Sequence, residues 1–236
     1  QMCIRDRTIR PDVALGMGGY PSVAPLLAAR RLRVPTAVYE PNAVPGLATR
    51  ALAPGADLAL LGCDDARGAL GRRVKAERVE VVGVPVRREV LEADPEEGRK
   101  LLGVPGGARL LLVIGGSLGA AALNGMIANT LPAVSKELGG WHVLHLCGPG
   151  RESDLAGVYG PARFSGRAVG FLKEVWHAMA AADLVVARCG ASTLAELACR
   201  GVPAVLVPLP GSAGGHQEAN GRAQAASGGA VVVLQE

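Results

Sequence analysis

Residues 182–208, ADLVVARCGASTLAELACRGVPAVLVP, restrict the possible folds more than any other stretch of the chain. An apolar strand pattern over 184–187 breaks at Cys189-Gly190 and passes directly into a helix pattern over 192–199. Gly201-Val202-Pro203 ends that helix, and a second strand follows over 204–207. This is a βαβ unit, whose tight glycine turn aims the first helical N–H groups into a crevice at the strand ends. Glu196 sits one turn into the helix, and two readings of it stay open. Amides that attract anions beside a carboxylate suit a nucleotide, with phosphate on the amides and ribose hydroxyls on the carboxylate. Equally, Thr193-Leu194-Ala195-Glu196 fits the T-x-x-E capping box, in which the Glu merely ties off a free helix N–H.

The same device occurs earlier. Asp12, a strand over 13–15, a glycine turn, Ser22, a helix over 22–31 ending in Arg, Val34-Pro35 and a strand over 36–39 parallel Asp183, strand, Gly190, Ser192, helix, Val202-Pro203 and strand. The two copies lie about 170 residues apart, which predicts an α/β chain of two similar domains rather than one sheet. The boundary falls near Gly83-Val84-Pro85-Val86-Arg87, giving domains over 8–87 and 88–236. Further strands are expected over 79–82, 109–114, 143–146 and 230–234. Helices are expected over 88–102 with a break at Asp94-Pro95, after Gly119, from Phe171 to 181, and over 217–226. Residues 1–7, QMCIRDR, fit no pattern and read as a non-native leader. The abrupt opening strand and the uncovered last strand make both ends look cut.

Bulk properties exclude several classes. Aromatics are only 3% of the chain while small and branched apolar residues dominate, which suits layered α/β packing. No apolar run approaches the roughly 18–20 residues needed to span a bilayer. Five scattered cysteines without a C-x-x-C argue against zinc and a disulfide framework and read as reduced thiols. The net charge of +4 is uneven: 13 Lys+Arg against 8 Asp+Glu through Arg87, then 12 against 13. Arg30, Arg31 and Arg33 close a helix that also carries Leu26, Leu27 and Leu32. They suit either anionic lipid headgroups or a solvated helix end.

Several constellations could carry chemistry. Gly115-Gly116-Ser117-Leu118-Gly119-Ala120 lies where a strand meets a helix, so its backbone and the Ser117 hydroxyl can approach phosphate. It is neither G-x-G-x-x-G nor a Walker loop, and the next strand ends Leu146-Cys147 without an acid for an adenosine ribose, so a dehydrogenase is disfavoured. Gly16-Met17-Gly18-Gly19-Tyr20 repeats the turn. In Tyr39-Glu40-Pro41-Asn42, Asn42 could bind sugar hydroxyls and Glu40 could act as base or orienter, or the segment is a plain turn. Gln217 and Asn220 share one face of the last helix. No D-x-D occurs, so divalent-metal handling of a diphosphate is unsupported, and His142, His145 and His177 read as core or surface residues.

Taken in order, GMGGYPS, YEPN, GVPVR, GGSLGA, GFL, RCGASTLAE and HQEAN resemble the MurG family of bacterial peptidoglycan glycosyltransferases. Its corresponding motifs are G-G-Y, H-E-Q-N, G-N-P-V-R, G-G-S-Q-G-A, F-I, S-G-A-x-T-x-x-E and H-Q-x-x-N. The resemblance runs from Thr8 to the end and implies a GT-B fold, two Rossmann-like domains with parallel sheets facing across a cleft. It implies an inverting transfer of GlcNAc from UDP-GlcNAc to the C4 hydroxyl of MurNAc in undecaprenyl-diphosphate-linked MurNAc-pentapeptide (lipid I), giving lipid II. The implied donor contacts are Asn42, Arg87, Ser117, Leu172, Ala191, Ser192, Thr193, Leu194, Ala195, Glu196 and Gln217, with Glu196 on the ribose. Gly18, Gly19 and Tyr20 would face the acceptor diphosphate. No cofactor, metal or nucleic acid is implied. The first domain would be the acceptor and membrane side, placing the protein peripherally on the cytoplasmic face of the plasma membrane.

Tyr39, Pro41 and Val84 depart from the family's His, Gln and Asn. The family's first glycine loop, G-G-T-G-G-H, and its C-terminal helices have no counterpart here, which predicts that these residues alone do not turn over. The catalytic residue is therefore unassigned, with Glu40 a weak candidate. The alternatives are another GT-B enzyme acting on a UDP-sugar, such as a lipid glycosyltransferase or an epimerase, and a non-catalytic UDP-sugar-binding subunit.

Overall fold

The computed structural model describes residues 10–70, 74–116, 119–159 and 165–235. The chain forms two compact units. The first extends to Pro85 and takes in Pro210–Ala223; the second comprises Val86–Leu209 and resumes at Gln224. The change of unit at Pro85 lies beside the boundary read from the sequence, but the grouping of Pro210–Ala223 with the first unit has no sequence signal.

In the first unit four parallel strands lie in the order β1 (Ala14–Gly16), β2 (Thr36–Glu40), β3 (Leu58–Leu61) and β4 (Val79–Val81). Helices α1 (Val23–Arg31), α2 (Leu47–Leu52) and α3 (Asp65–Leu70) connect them. Leu26, Val38, Leu52, Ala59 and Leu61 meet in one buried cluster. A parallel pair needs a crossover connection, and each helix supplies one with an apolar side for the sheet.

The second unit holds a six-stranded parallel sheet in the order β10 (Ala230–Val232), β9 (Ala204–Leu206), β8 (Leu184–Ala187), β5 (Arg109–Ile114), β6 (Trp141–Leu146) and β7 (Gly166–Val169). Its helices are α4 (Arg88–Glu92), α5 (Pro95–Leu102), α6 (Ala121–Thr130), α7 (Val175–Ala181) and α8 (Ala191–Arg200); α9 (His216–Ala226) leads into β10. Strand β5 is apolar throughout after Arg109 because both its faces are covered. Leu110, Leu112 and Ile114 join one cluster with residues of α7 and α8, while Leu111 and Val113 join another with Leu123 of α6. That is the period-2 alternation of a sheet between two helical layers.

Local chemistry explains the breaks. Asp94 Oδ1 accepts the Glu97 N–H at 2.8 Å, Pro95 occupies the first turn, and Gly103 closes the helix with φ +64°. The interruption at Asp94-Pro95 is therefore the start of α5.

One device recurs in both sheets. Asp57, just before β3, accepts the Thr36 N–H on Oδ2 at 2.8 Å; Asp183, just before β8, accepts the Leu110 N–H on Oδ2 at 2.7 Å. Arg99 Nη2 completes the second pin at 2.7 Å. The Thr36 backbone N–H holds the Asp57 carboxyl below the usual carboxylate range. By hydrogen bonding the partner of Asp183 in the repeat is Asp57, not Asp12.

Candidate functional site

The strand order of the second unit reverses between β5 and β8, since β6 and β7 continue to one side and β9 and β10 to the other. Loops leaving the carboxyl ends of those two strands diverge and open a crevice between them. Both glycine turns singled out in the sequence leave from this point: Gly115-Gly116 follows β5, and Arg188-Cys189-Gly190 follows β8. A cavity of about 240 Å³ lies here. Ile114, Leu146 and Met179 supply apolar wall; Arg87, Leu172, Thr193 and Glu196 are the expected donor contacts that line it.

Helix α8 begins earlier than the capping box requires. Its N-cap is Gly190, it starts at Ala191, and no side chain caps it. Leu194 N donates to Gly190 O at 3.0 Å, so the N–H groups of Ala191, Ser192 and Thr193 lie ahead of the helical ladder. Thr193 is thus inside the helix, and the capping reading of Glu196 fails. The Glu196 carboxylate, buried to 12% side-chain exposure, instead accepts from Arg87: Nε at 3.0 Å and Nη2 at 2.8 Å, both on Oε1. Oε2 makes no hydrogen bond among the described residues. The Arg87 guanidinium lies over the Trp176 ring, 5.4 Å from its centroid. Leu194 is buried in the core, so only its backbone can meet a ligand; Ser192 is exposed, and Ala191 and Ala195 are half-buried. Gly190 has φ −70° and open space where a Cβ would stand, so neither its backbone nor its packing demands glycine.

Ser117 and Leu118 lie outside the described residues. Around them the loop is tightly held. Gly119 has φ +73°, and a Cβ there would run into the Cys147 carbonyl oxygen. A buried network fixes the helix that follows. Asn124 Nδ2 donates to Cys147 O at 2.8 Å, which turns Asn124 Oδ1 toward His145 Nε2 at 3.0 Å. Nε2 therefore carries the proton, and Nδ1 accepts from the Tyr159 hydroxyl at 2.8 Å. Burial pushes the His145 imidazole down to about 4 and the Tyr159 hydroxyl up.

Arg188 is also buried. Its Nη1 donates to Val207 O and Pro208 O at 3.1 and 2.9 Å, and Nη2 to Gln235 Oε1 at 2.7 Å. No group of three or more His, Cys, Asp or Glu gathers among the described residues.

In the first unit Glu40 is 3% exposed and organises its own loop. Oε1 accepts Asn42 N and Nδ2 at 3.1 and 2.9 Å, and Oε2 accepts Gly46 N at 2.9 Å. Those three donors occupy the carboxylate that the sequence offered as a base. Asn42 Oδ1 accepts from Asn220 Nδ2 at 3.0 Å, and Asn220 Oδ1 accepts from Ala43 N at 2.8 Å. The structure thus brings Asn42 and the start of α9 together through their amides. Gln217 N, next to them in sequence, donates to Ser212 Oγ at 3.3 Å. Tyr39 is buried with its hydroxyl donating to Gly83 O at 3.1 Å; burial, then the charge on Glu40, raises its ionisation. Gly18 and Gly19 both have positive φ, and Tyr20 is 80% exposed.

The match to family models decides where the chain belongs. The glycosyltransferase family 28 C-terminal domain matches residues 110–236, and the family's N-terminal domain matches residues 6–60. This chain is a member of glycosyltransferase family 28. It is 43% identical over 228 residues to the UDP-N-acetylglucosamine–N-acetylmuramyl-(pentapeptide) pyrophosphoryl-undecaprenol N-acetylglucosamine transferase of Methylobacterium sp. (strain 4-46), covering 95% of this chain and 60% of that protein. The transferase of the same name from Sorangium cellulosum (strain So ce56) is 40% identical, over 94% of this chain and 53% of its own length. Among solved structures, Acinetobacter baumannii MurG matches with a TM-score of 0.75 and 28% identity, covering 99% of this chain and 62% of that one. The chain thus spans three fifths or less of the length of these curated relatives. The two parallel sheets are those of the GT-B class.

Trp176, His145 and Asn124 had no functional reading in the sequence. Asn124 carried a usable signal, a polar residue in the apolar first two turns of the helix AALNGMIANT. Trp176 carried none, because its partner Arg87 is distant in the chain.

Proposed function

We propose that this chain carries the donor site of a MurG-type transferase. In this reading the parent enzyme moves GlcNAc from UDP-GlcNAc to the C4 hydroxyl of the MurNAc in lipid I and forms lipid II with inversion. The carrying observation is Glu196: a carboxylate at the switch-point cavity, held on one oxygen by Arg87 and, among the described residues, unbonded on the other. A vicinal diol presents two O–H donors to such an acceptor, as a ribose does. The amides of Ala191, Ser192 and Thr193 and the positive end of the α8 dipole suit the diphosphate. They also stabilise the charge that develops on UDP as the C1–oxygen bond breaks and the acceptor oxygen bonds to C1. Gly190, which the protein itself does not require, leaves room for a phosphate to approach the backbone.

Acceptor and membrane roles fall to the first unit in this reading. Gly18, Gly19 and Tyr20 meet the acceptor diphosphate. Exposed Leu27 and Leu32, close in sequence to Arg30, Arg31 and Arg33, favour an anionic bilayer surface, here the cytoplasmic face of the plasma membrane. No helix among the described residues is long and apolar enough to cross a membrane. Asn42 and Gln217 stay donor contacts in this reading on the motif resemblance alone.

Calorimetric titration with UDP-GlcNAc tests the donor site. Glu196→Ala should lower affinity about 10- to 150-fold, corresponding to about 1.5–3 kcal/mol for a hydrogen bond to a charged group. Undiminished affinity in a folded variant removes the proposal's main support.

A further inference from the structure

Arg87 is held from two sides. Its Nε and Nη2 converge on the single oxygen Oε1 of Glu196, and its guanidinium carbon lies 5.4 Å from the Trp176 ring centroid. An unconstrained Arg–carboxylate pair favours the fork-to-fork arrangement, one N–H on each oxygen. That arrangement would leave Glu196 without an uncommitted oxygen. Arg87 has the freedom to adopt it, with 47% of its side chain exposed. The ring of Trp176 offers a face on which a guanidinium settles, and this fixes the direction in which the N–H edge points. Val175 and Met179 of the same helix line the cavity, so α7 supplies both the apolar wall and the support for the cation.

We propose that Trp176 is a positioning residue of the donor site: it holds Arg87 end-on to Glu196 Oε1, keeps Oε2 for a vicinal diol, and so sets the preference for ribonucleotides. The inference rests on the reading of Glu196 as the ribose-holding carboxylate and adds to it a residue outside the cavity lining and a selectivity.

The probes are UDP and 2′,3′-dideoxy-UDP, titrated into the full chain. The wild type should favour UDP by about 10-fold or more, the contribution of a hydrogen bond to a charged group. Trp176→Leu should weaken UDP about 2- to 5-fold, the scale of one partly exposed cation–π contact, and leave dideoxy-UDP unchanged. Trp176→Phe, which keeps a ring face, should restore most of the preference. Replacing the tryptophans by tetrafluorotryptophan keeps the shape while draining the negative ring face, and should mimic Trp176→Leu even where that variant folds poorly. Equal losses for both nucleotides, or an unchanged ratio in both Trp176→Leu and the fluorinated protein, overturn the inference while leaving Glu196 on the ribose. Absence of any ribose preference in the wild type overturns the Glu196 reading, and this inference with it.

Discussion

Acid should loosen the second unit through His145. The imidazole is fully buried, and burial lowers its pKa from 6.5 to about 4. As pH falls through about 6.5 the ring in the unfolded chain takes up a proton, whereas the folded chain keeps it neutral until about pH 4. Across that window the unfolded state binds more protons, so stability declines as pH falls. Above it His145 contributes no pH dependence, and below about pH 4 the loss levels off. At 1.36 kcal/mol per pKa unit the full gap is about 3 kcal/mol, of which about 2.5 kcal/mol is lost by pH 4.5. That is a large share of the 5–15 kcal/mol typical of a domain. Trp141 and Trp176 both lie in this unit, so urea unfolding followed by tryptophan fluorescence reads it directly. His145→Gln can keep a donor and an acceptor but does not titrate. The difference in unfolding free energy between wild type and His145→Gln should shrink by about 2.5 kcal/mol between pH 7.5 and 4.5. His142, lowered by burial and Arg167, adds to the acid loss of both proteins and cancels in that difference. A difference that stays constant with pH refutes the buried neutral imidazole.

Gly190→Ala should change stability by less than about 0.5 kcal/mol, because its φ and surroundings accept a methyl group, yet weaken UDP-GlcNAc binding measurably. Equal binding by the two proteins would show that no ligand approaches that backbone. Asn220→Leu should cost about 1–3 kcal/mol by stranding the Ala43 N–H, and should speed hydrogen exchange at Ala43; unchanged protection there contradicts the amide clamp.

The sequence carried the periodic parts of this fold well. Strand β8 occupies 184–187 as the apolar run indicates, and Asp94-Pro95 marks a helix start by chemistry that is local. Strands β3 and β7 were not anticipated: LALL and GRAV are short, and their strand character comes from neighbours in the sheet. The site divided along the same line. Gly190, Thr193 and Glu196 were visible because one βαβ unit supplies them all. The pairing of Glu196 with Arg87 was not, since T-x-x-E describes four consecutive residues while that pairing spans 109 positions. Glu40 reads as base or orienter at a strand end, but its contacts to Asn42 and Gly46, distant from any periodic signal, commit its carboxylate to its own loop.

The aspartate pins have a consequence for how such a protein can change. Parallel neighbours joined by long crossovers have no hairpin to set their alignment, and a slip of one residue would exchange inside for outside along a whole strand. Asp57 and Asp183 lock that alignment at the amino ends of the strands, at the edge of each sheet opposite the glycine turns. Loops at the working edge are then free to lengthen, shorten or trade side chains over generations without the scaffold beneath them losing its place.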